Sequence, residues 1–97
     1  MSVTGKWAVV IRTPVGEQNV VFDLLSEGDV LSGFIKGPDE TNPISDGNVQ
    51  GNLLTWRSKV SRPVPMNLKF AATISDDTIE GSAKGLFGSA SFVGRRT

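Results

Sequence analysis

A chain of 97 residues with 38% hydrophobic residues, 11 Gly and 5 Pro reads as one turn-rich domain, residues 3–97, because division would leave pieces too small to bury a core. Ten Lys plus Arg balance ten Asp plus Glu, so no net field draws phosphates or an anionic membrane surface, and only a local basic patch could do so. Cys, His and Tyr are all absent, which removes disulfides, thiol nucleophiles and the commonest metal ligand and general base, and leaves Asp, Glu, Lys, Arg, Ser or Thr for any catalysis.

The N-terminal "MSVTGKW" has no basic stretch followed by an apolar run, and nowhere do about 18 apolar residues follow one another, so a cytoplasmic location is expected. Period-two alternation recurs between Gly, Pro, Asn and Asp, and no 3.6-residue period competes with it; the expectation is all-β. In chain order the strands are expected over 5–12, 18–25, 30–37, 43–50, 53–60, 66–74, 78–84 and 88–95. Within the fourth, "SDG" at 45–47 reads either as a bulge or as a terminating turn. The connections are short enough for each strand to pair with its successor, and eight strands can close into an up-and-down antiparallel barrel.

With "TPVG" as the first hairpin, Trp7 faces Phe22 and Lys6 faces Asp23; with "SEGD" as the second, Phe22 faces Gly33 and Leu24 faces Leu31. Extending this parity gives an inward set of Trp7, Val9, Ile11, Val20, Phe22, Leu24, Leu31, Ile35, Leu54, Trp56, Val60, Leu68, Phe70, Ala72, Ile79, Ala83 and Phe92. Three segments, "EGDVLSGFIKG", "QGNLLTWRSKV" and "SDDTIEGSAKG", repeat a polar turn followed by an alternating strand. Alternate connections share a rim, so "TPVGE", "KGPDETNP", "SRPVP" and "KGLFG" lie at one end with all five prolines, and the tight turns lie at the other with both termini. Pro preorganises loops, so the first rim is the expected mouth. Arg96 returns beside Trp7, where a guanidinium over an indole would form the barrel floor.

"GKW" at 5–7, "GDVLSG" at 28–33 and the terminal "RR" together resemble the calycin-type barrels, meaning lipocalins, fatty-acid-binding proteins and avidins. The pattern Gly-x-Trp, Pro-x-Gly, Gly-x-x-Leu-x-Gly and a closing Phe-x-x-x-Arg also resembles short bacterial barrel domains. The resemblance implies a barrel suited to small apolar ligands, with Trp7 and Arg96 in a structural role. The chain departs from lipocalins in length, from fatty-acid-binding proteins in lacking a lid, and from avidins in lacking the Tyr that holds biotin.

No nucleophile triad, phosphate-cradling Gly loop or metal-ligand cluster is present, so no catalytic residue, metal or cofactor is expected. Asp39, Glu40, Asp46, Asp76 and Asp77 sit in turn contexts, and mid-strand Asp23 is expected to pair with Lys6. Trp56 and Arg57 point to opposite faces and form no stacking platform, so nucleic acid is not an expected partner, nor is a membrane. The leading expectation is a non-enzymatic binding module for an apolar or amphipathic small molecule, contacted by Phe22, Trp56, Ser58, Lys59, Arg62 and Phe70. Alternatives are a small-barrel lyase, isomerase or cyclase acting on an apolar substrate, and a structural homo-oligomer without ligand. Outward Val10, Val21, Leu25, Val30 and Phe34 form the expected homodimer interface.

Overall fold

Alternating side chains fold into eight strands: β1 (Gly5–Thr13), β2 (Gly16–Glu27), β3 (Val30–Lys36), β4 (Thr41–Gln50), β5 (Leu53–Val60), β6 (Met66–Ser75), β7 (Thr78–Gly85) and β8 (Gly88–Arg96). The computed structural model describes residues 3–13, 16–38, 40–60, 66–85 and 88–97. Each strand pairs antiparallel with the next and β8 pairs back to β1, which closes the barrel and leaves no free sheet edge. The all-β, up-and-down eight-stranded barrel expected from the alternation is the fold observed.

Inward positions carry the core. Trp7, Phe22, Leu54 and Ile79 are completely shielded, and Val9, Leu24, Leu31, Trp56, Phe70, Ala72 and Phe92 are buried with them. Ile11 and Leu68 are only partly buried, while Val3 and Ile74 join the core from just outside the expected set. Pro14, Pro63, Pro65, Asp39, Arg62 and the side chain of Val60 lie outside the described residues.

The "SDG" segment is a bulge inside β4. Register shifts by one residue on both sides of it, between Leu31 and Phe34 towards β3 and between Ser45 and Asn48 towards β5. Asp46 takes a positive φ of 52° there, a conformation that a short polar side chain tolerates. The extra residue turns Ile44 and Val49, five positions apart in the chain, to the same inner face. Pro43, expected on the rim, stands inside β4 opposite Phe34, where the interrupted ladder accommodates its missing N–H.

The first hairpin register is as expected, with Trp7 opposite Phe22 and Lys6 opposite Asp23. The second is offset by two residues: Phe22 faces Ile35 and Leu24 faces Gly33. The cause is the turn. Gly28, at φ 60°, and Asp29 are its two central residues, between Glu27 and Val30, one residue later than the Glu27–Gly28 centre that "SEGD" implies. Because the offset is even, the inward set survives. The outward neighbours do not: Val21 faces Lys36 and Leu25 faces Ser32, so neither is directly opposite the apolar partner expected for it.

The three tight turns are structurally equivalent. Gly28, Gly51 and Asp76 open them at φ 60°, 59° and 53°. The carbonyls of Asp29, Asn52 and Asp77, which follow, accept from the N–H groups of Val49, Ile74 and Arg96 on β4, β6 and β8. The repeated sequence segments are therefore three copies of one hairpin start, each tied to the strand beyond it.

Bending the sheet into so narrow a tube requires close strand approaches at inward glycines. A Cβ on Gly81 would stand 2.0 Å from the Ala71 carbonyl oxygen, and one on Gly33 1.9 Å from that of Asp23. No side chain fits without moving a neighbouring strand. Gly81→Ala is expected to destabilise by ~1–3 kcal/mol, the range for overpacking, in urea unfolding followed by Trp fluorescence.

Candidate functional site

β2, β5, β6 and β8 each contribute one ring to the middle of the barrel. Trp56 stacks on Phe70 with centroids 5.0 Å apart and planes 8° from parallel. Phe22 meets Trp56 edge-on at 5.4 Å and Phe92 edge-on at 5.3 Å. These are favourable quadrupole geometries, and they fill the barrel at this level with hydrocarbon. The expected ligand contacts Phe22, Trp56 and Phe70 are thus brought together as one packed cluster.

At the tight-turn rim, Arg96 is the cross-strand partner of Trp7, and its guanidinium carbon lies 4.3 Å from the centre of the Trp7 ring. Arg96 Nη1 donates to the Thr4 carbonyl at 2.9 Å, and Nε lies 3.4 Å from Asp77 Oδ1. The Trp7 indole N–H donates to the Val3 carbonyl at 3.1 Å. A Cβ on Gly5 would stand 2.9 Å from Arg96 Nη1, so the glycine two residues before Trp7 makes room for the guanidinium. That coupling was readable only as a spaced motif.

The two ends of the interior differ in closure. Trp7, Leu24, Leu54 and Ile79, towards the tight turns, are at most 1% exposed. Ile11, Ile44 and Leu68, towards the longer connections, are only partly buried against the same core, as is Val49 at the tight-turn end. Ser58 lies in this more open half, buried, and its hydroxyl donates to the Pro43 carbonyl at 3.2 Å. The Trp56 indole N–H is different: it is buried and has no hydrogen-bond partner. An indole nitrogen can only donate, so this donor forgoes a bond worth about 0.5–1.5 kcal/mol net and carries its desolvation cost uncompensated.

Lys59 is exposed on the outer wall and is not brought to the interior with its neighbour Ser58; Arg62 lies outside the described residues. Asp23 has Lys6 as backbone partner, but its ion pair is with Lys36, at 3.3 Å. The offset of the second hairpin places Lys36 on the adjacent strand, diagonal to Asp23. Among the described residues no group of three or more Asp or Glu side chains could hold a metal ion. No helix among them is long and apolar enough to cross a membrane. Two surface hollows lie outside the barrel interior, one of about 460 Å3 beside Arg12, Glu80 and Val93, the other of about 230 Å3 at the tight-turn rim beside Val3, Asn52 and Asp76.

Truncating Trp7 to Ala is expected to cost ~3–5 kcal/mol in urea melts, the range for a large core aromatic. Arg96→Ala should cost roughly 1–3 kcal/mol through the lost cation–π contact and charged hydrogen bonds, with Arg96→Lys in between.

No family model matches this chain, and no curated protein or solved structure matches it either.

Proposed function

We propose that the chain is a non-enzymatic binding module for a small apolar or amphipathic molecule carrying one hydrogen-bond acceptor, of the kind served by calycin-like barrels. The observation that carries this reading is the buried, unpartnered indole N–H of Trp56. A ligand entering from the longer-loop end would meet the partly exposed Ile11, Ile44 and Leu68 first and would offer its acceptor to that N–H. Ser58 is the second polar group on this path. Binding of this kind needs no proton transfer, and the described inner wall offers no carboxylate or Lys to move one.

The test uses the two indole N–H resonances of 15N-labelled protein, titrated with 1-octanol and, separately, with octane. Octanol, which has an acceptor, should shift the Trp56 resonance and leave that of Trp7, already bonded to Val3, in place. Trp56→Phe should weaken octanol binding roughly three- to tenfold, the worth of one hydrogen bond. If neither resonance moves at saturating octanol, the reading is wrong.

A second reading, a twofold homodimer, is favoured by a specific outer feature. Val10 faces Val93 and Ala8 faces Val21, which makes one apolar strip across β8, β1 and β2. Val93 is 43% exposed. Leu25, Val30 and Phe34, also exposed, sit apart beside Ser32, Glu27 and Asp23. The interface is therefore centred on Val10 and Val21, with the other three at its margin. Sedimentation equilibrium should report a dimer that Val93→Lys converts to monomer; a wild-type monomer at about a hundred micromolar rejects the dimer.

A further inference from the structure

Residues 47–75 contain no Asp or Glu, although the chain as a whole is neutral. Of their four cations, Arg57, Lys59 and Lys69 are exposed on the outer wall of β5 and β6, and Arg62 lies outside the described residues. The registers then bring charges of one sign side by side. Arg57 is directly opposite Lys69, and Lys69 is directly opposite Lys84 on β7. Like charges in register on neighbouring strands repel and destabilise a sheet. The ion pairs among the described residues engage Arg12, Lys36 and Arg96 instead, and none of them reaches this row.

The surroundings of the row have a definite composition. Ser45 precedes Arg57 and Ser89 follows Lys84 in the same cross-strand line. The neighbouring line runs Thr55, Ala71, Ser82, Ser91, and Lys59 faces Asn67. Arg and Lys surrounded by Ser, Thr and Asn is the donor set that contacts nucleic-acid phosphates. The line beyond Thr55 runs Leu53, Thr73, Glu80, so this face carries one exposed large apolar side chain and one carboxylate at its margin, while Leu25, Val30, Phe34 and Val93 lie on other strands; a lone Leu53 is not the apolar cluster that anchors a protein or peptide interface. Trp56 and Phe70 face inward, so bases have no ring here on which to stack.

We propose that the outer face of β5, β6 and β7 docks the phosphate backbone of double-stranded nucleic acid without reading its sequence. Adjacent strands are ~4.8 Å apart, so the row offers about one cation for every three of the phosphates that a duplex presents at one per ~1.7 Å of axis. A neutral molecule has no long-range field to assist this. The contact is therefore short-ranged and weak, and it departs from the expectation drawn from net charge alone.

Fluorescence anisotropy with a labelled duplex DNA of random sequence tests the proposal on the full chain. With Lys59 as a fourth phosphate contact beside the three in-register cations, binding should weaken with salt at a logarithmic slope near −3.6, roughly a fiftyfold loss between about 50 and 150 mM. The triple variant Arg57→Gln, Lys69→Gln, Lys84→Gln should lose binding while melting no lower than the wild type, since it relieves repulsion rather than packing. The single variant Lys59→Gln, outside the repelling row, should make the slope shallower by about one. Undiminished binding by the triple variant, or a wild-type slope shallower than −1, overturns the proposal. Labelled poly-glutamate binding as tightly as the duplex overturns it in favour of an acidic protein partner.

Discussion

The guanidinium of Arg96 lies over the ring of Trp7, is bonded to the Thr4 carbonyl, and occupies the space where a side chain on Gly5 would begin. This contact joins the last strand to the first, and the rest of the barrel depends on that seam. Without it β1 and β8 would each present an unpaired row of amides. Trp7, Leu24, Leu54 and Ile79 at this end are at most 1% exposed, whereas Ile11, Ile44 and Leu68 at the far end are partly buried. The proposed ligand entry rests on that difference.

Three equivalent hairpin starts, at Gly28, Gly51 and Asp76, account for the regularity of the remaining wall. A fourth would stand where the two termini meet, and there the Ser26 N–H of β2 donates to the Thr4 hydroxyl at 3.0 Å, in place of a turn carbonyl. The copies diverge at one inward position: Gly33 and Gly81 occupy it in the outer copies, Trp56 in the central one. Two glycines and one indole at equivalent sites make the interior lopsided, with close strand approach on two sides and a large ring on the third. The same ring carries the unpartnered N–H.

Strand order, the inward set and the stacking partner of Trp7 were legible because each follows from period-two parity, which survives errors of two residues. The second hairpin shows the limit. Its turn lies one residue later than "SEGD" implies, so Leu24 faces Gly33 instead of Leu31, and the inward residues of the hairpin still face inward. Outward neighbours have no such protection, so Val21 faces Lys36 in place of Phe34 and Leu25 faces Ser32 in place of Val30. The bulge at Asp46 was visible as an ambiguity only, because "SDG" suits both a turn and an αL residue within a strand. Ser58 was identifiable as inward; that Trp56 lacks an acceptor was not, since hydrogen-bond partners across a core depend on ring orientation rather than on sequence spacing.

The bond from Arg96 to Thr4 joins residues 92 apart in the chain, whereas nearly all other strand pairs are consecutive hairpins. Hairpins form early because little chain entropy is lost in closing them, and a contact this distant must wait. The barrel is therefore expected to assemble as an open, curling sheet that shuts last. Until it does, two strand edges are free at once, and an edge of one molecule can accept the eighth strand of another in place of its own. The hazard of misassembly is thus confined to a single late event, and the residues that guard against it are the glycine, the tryptophan and the arginine at the seam.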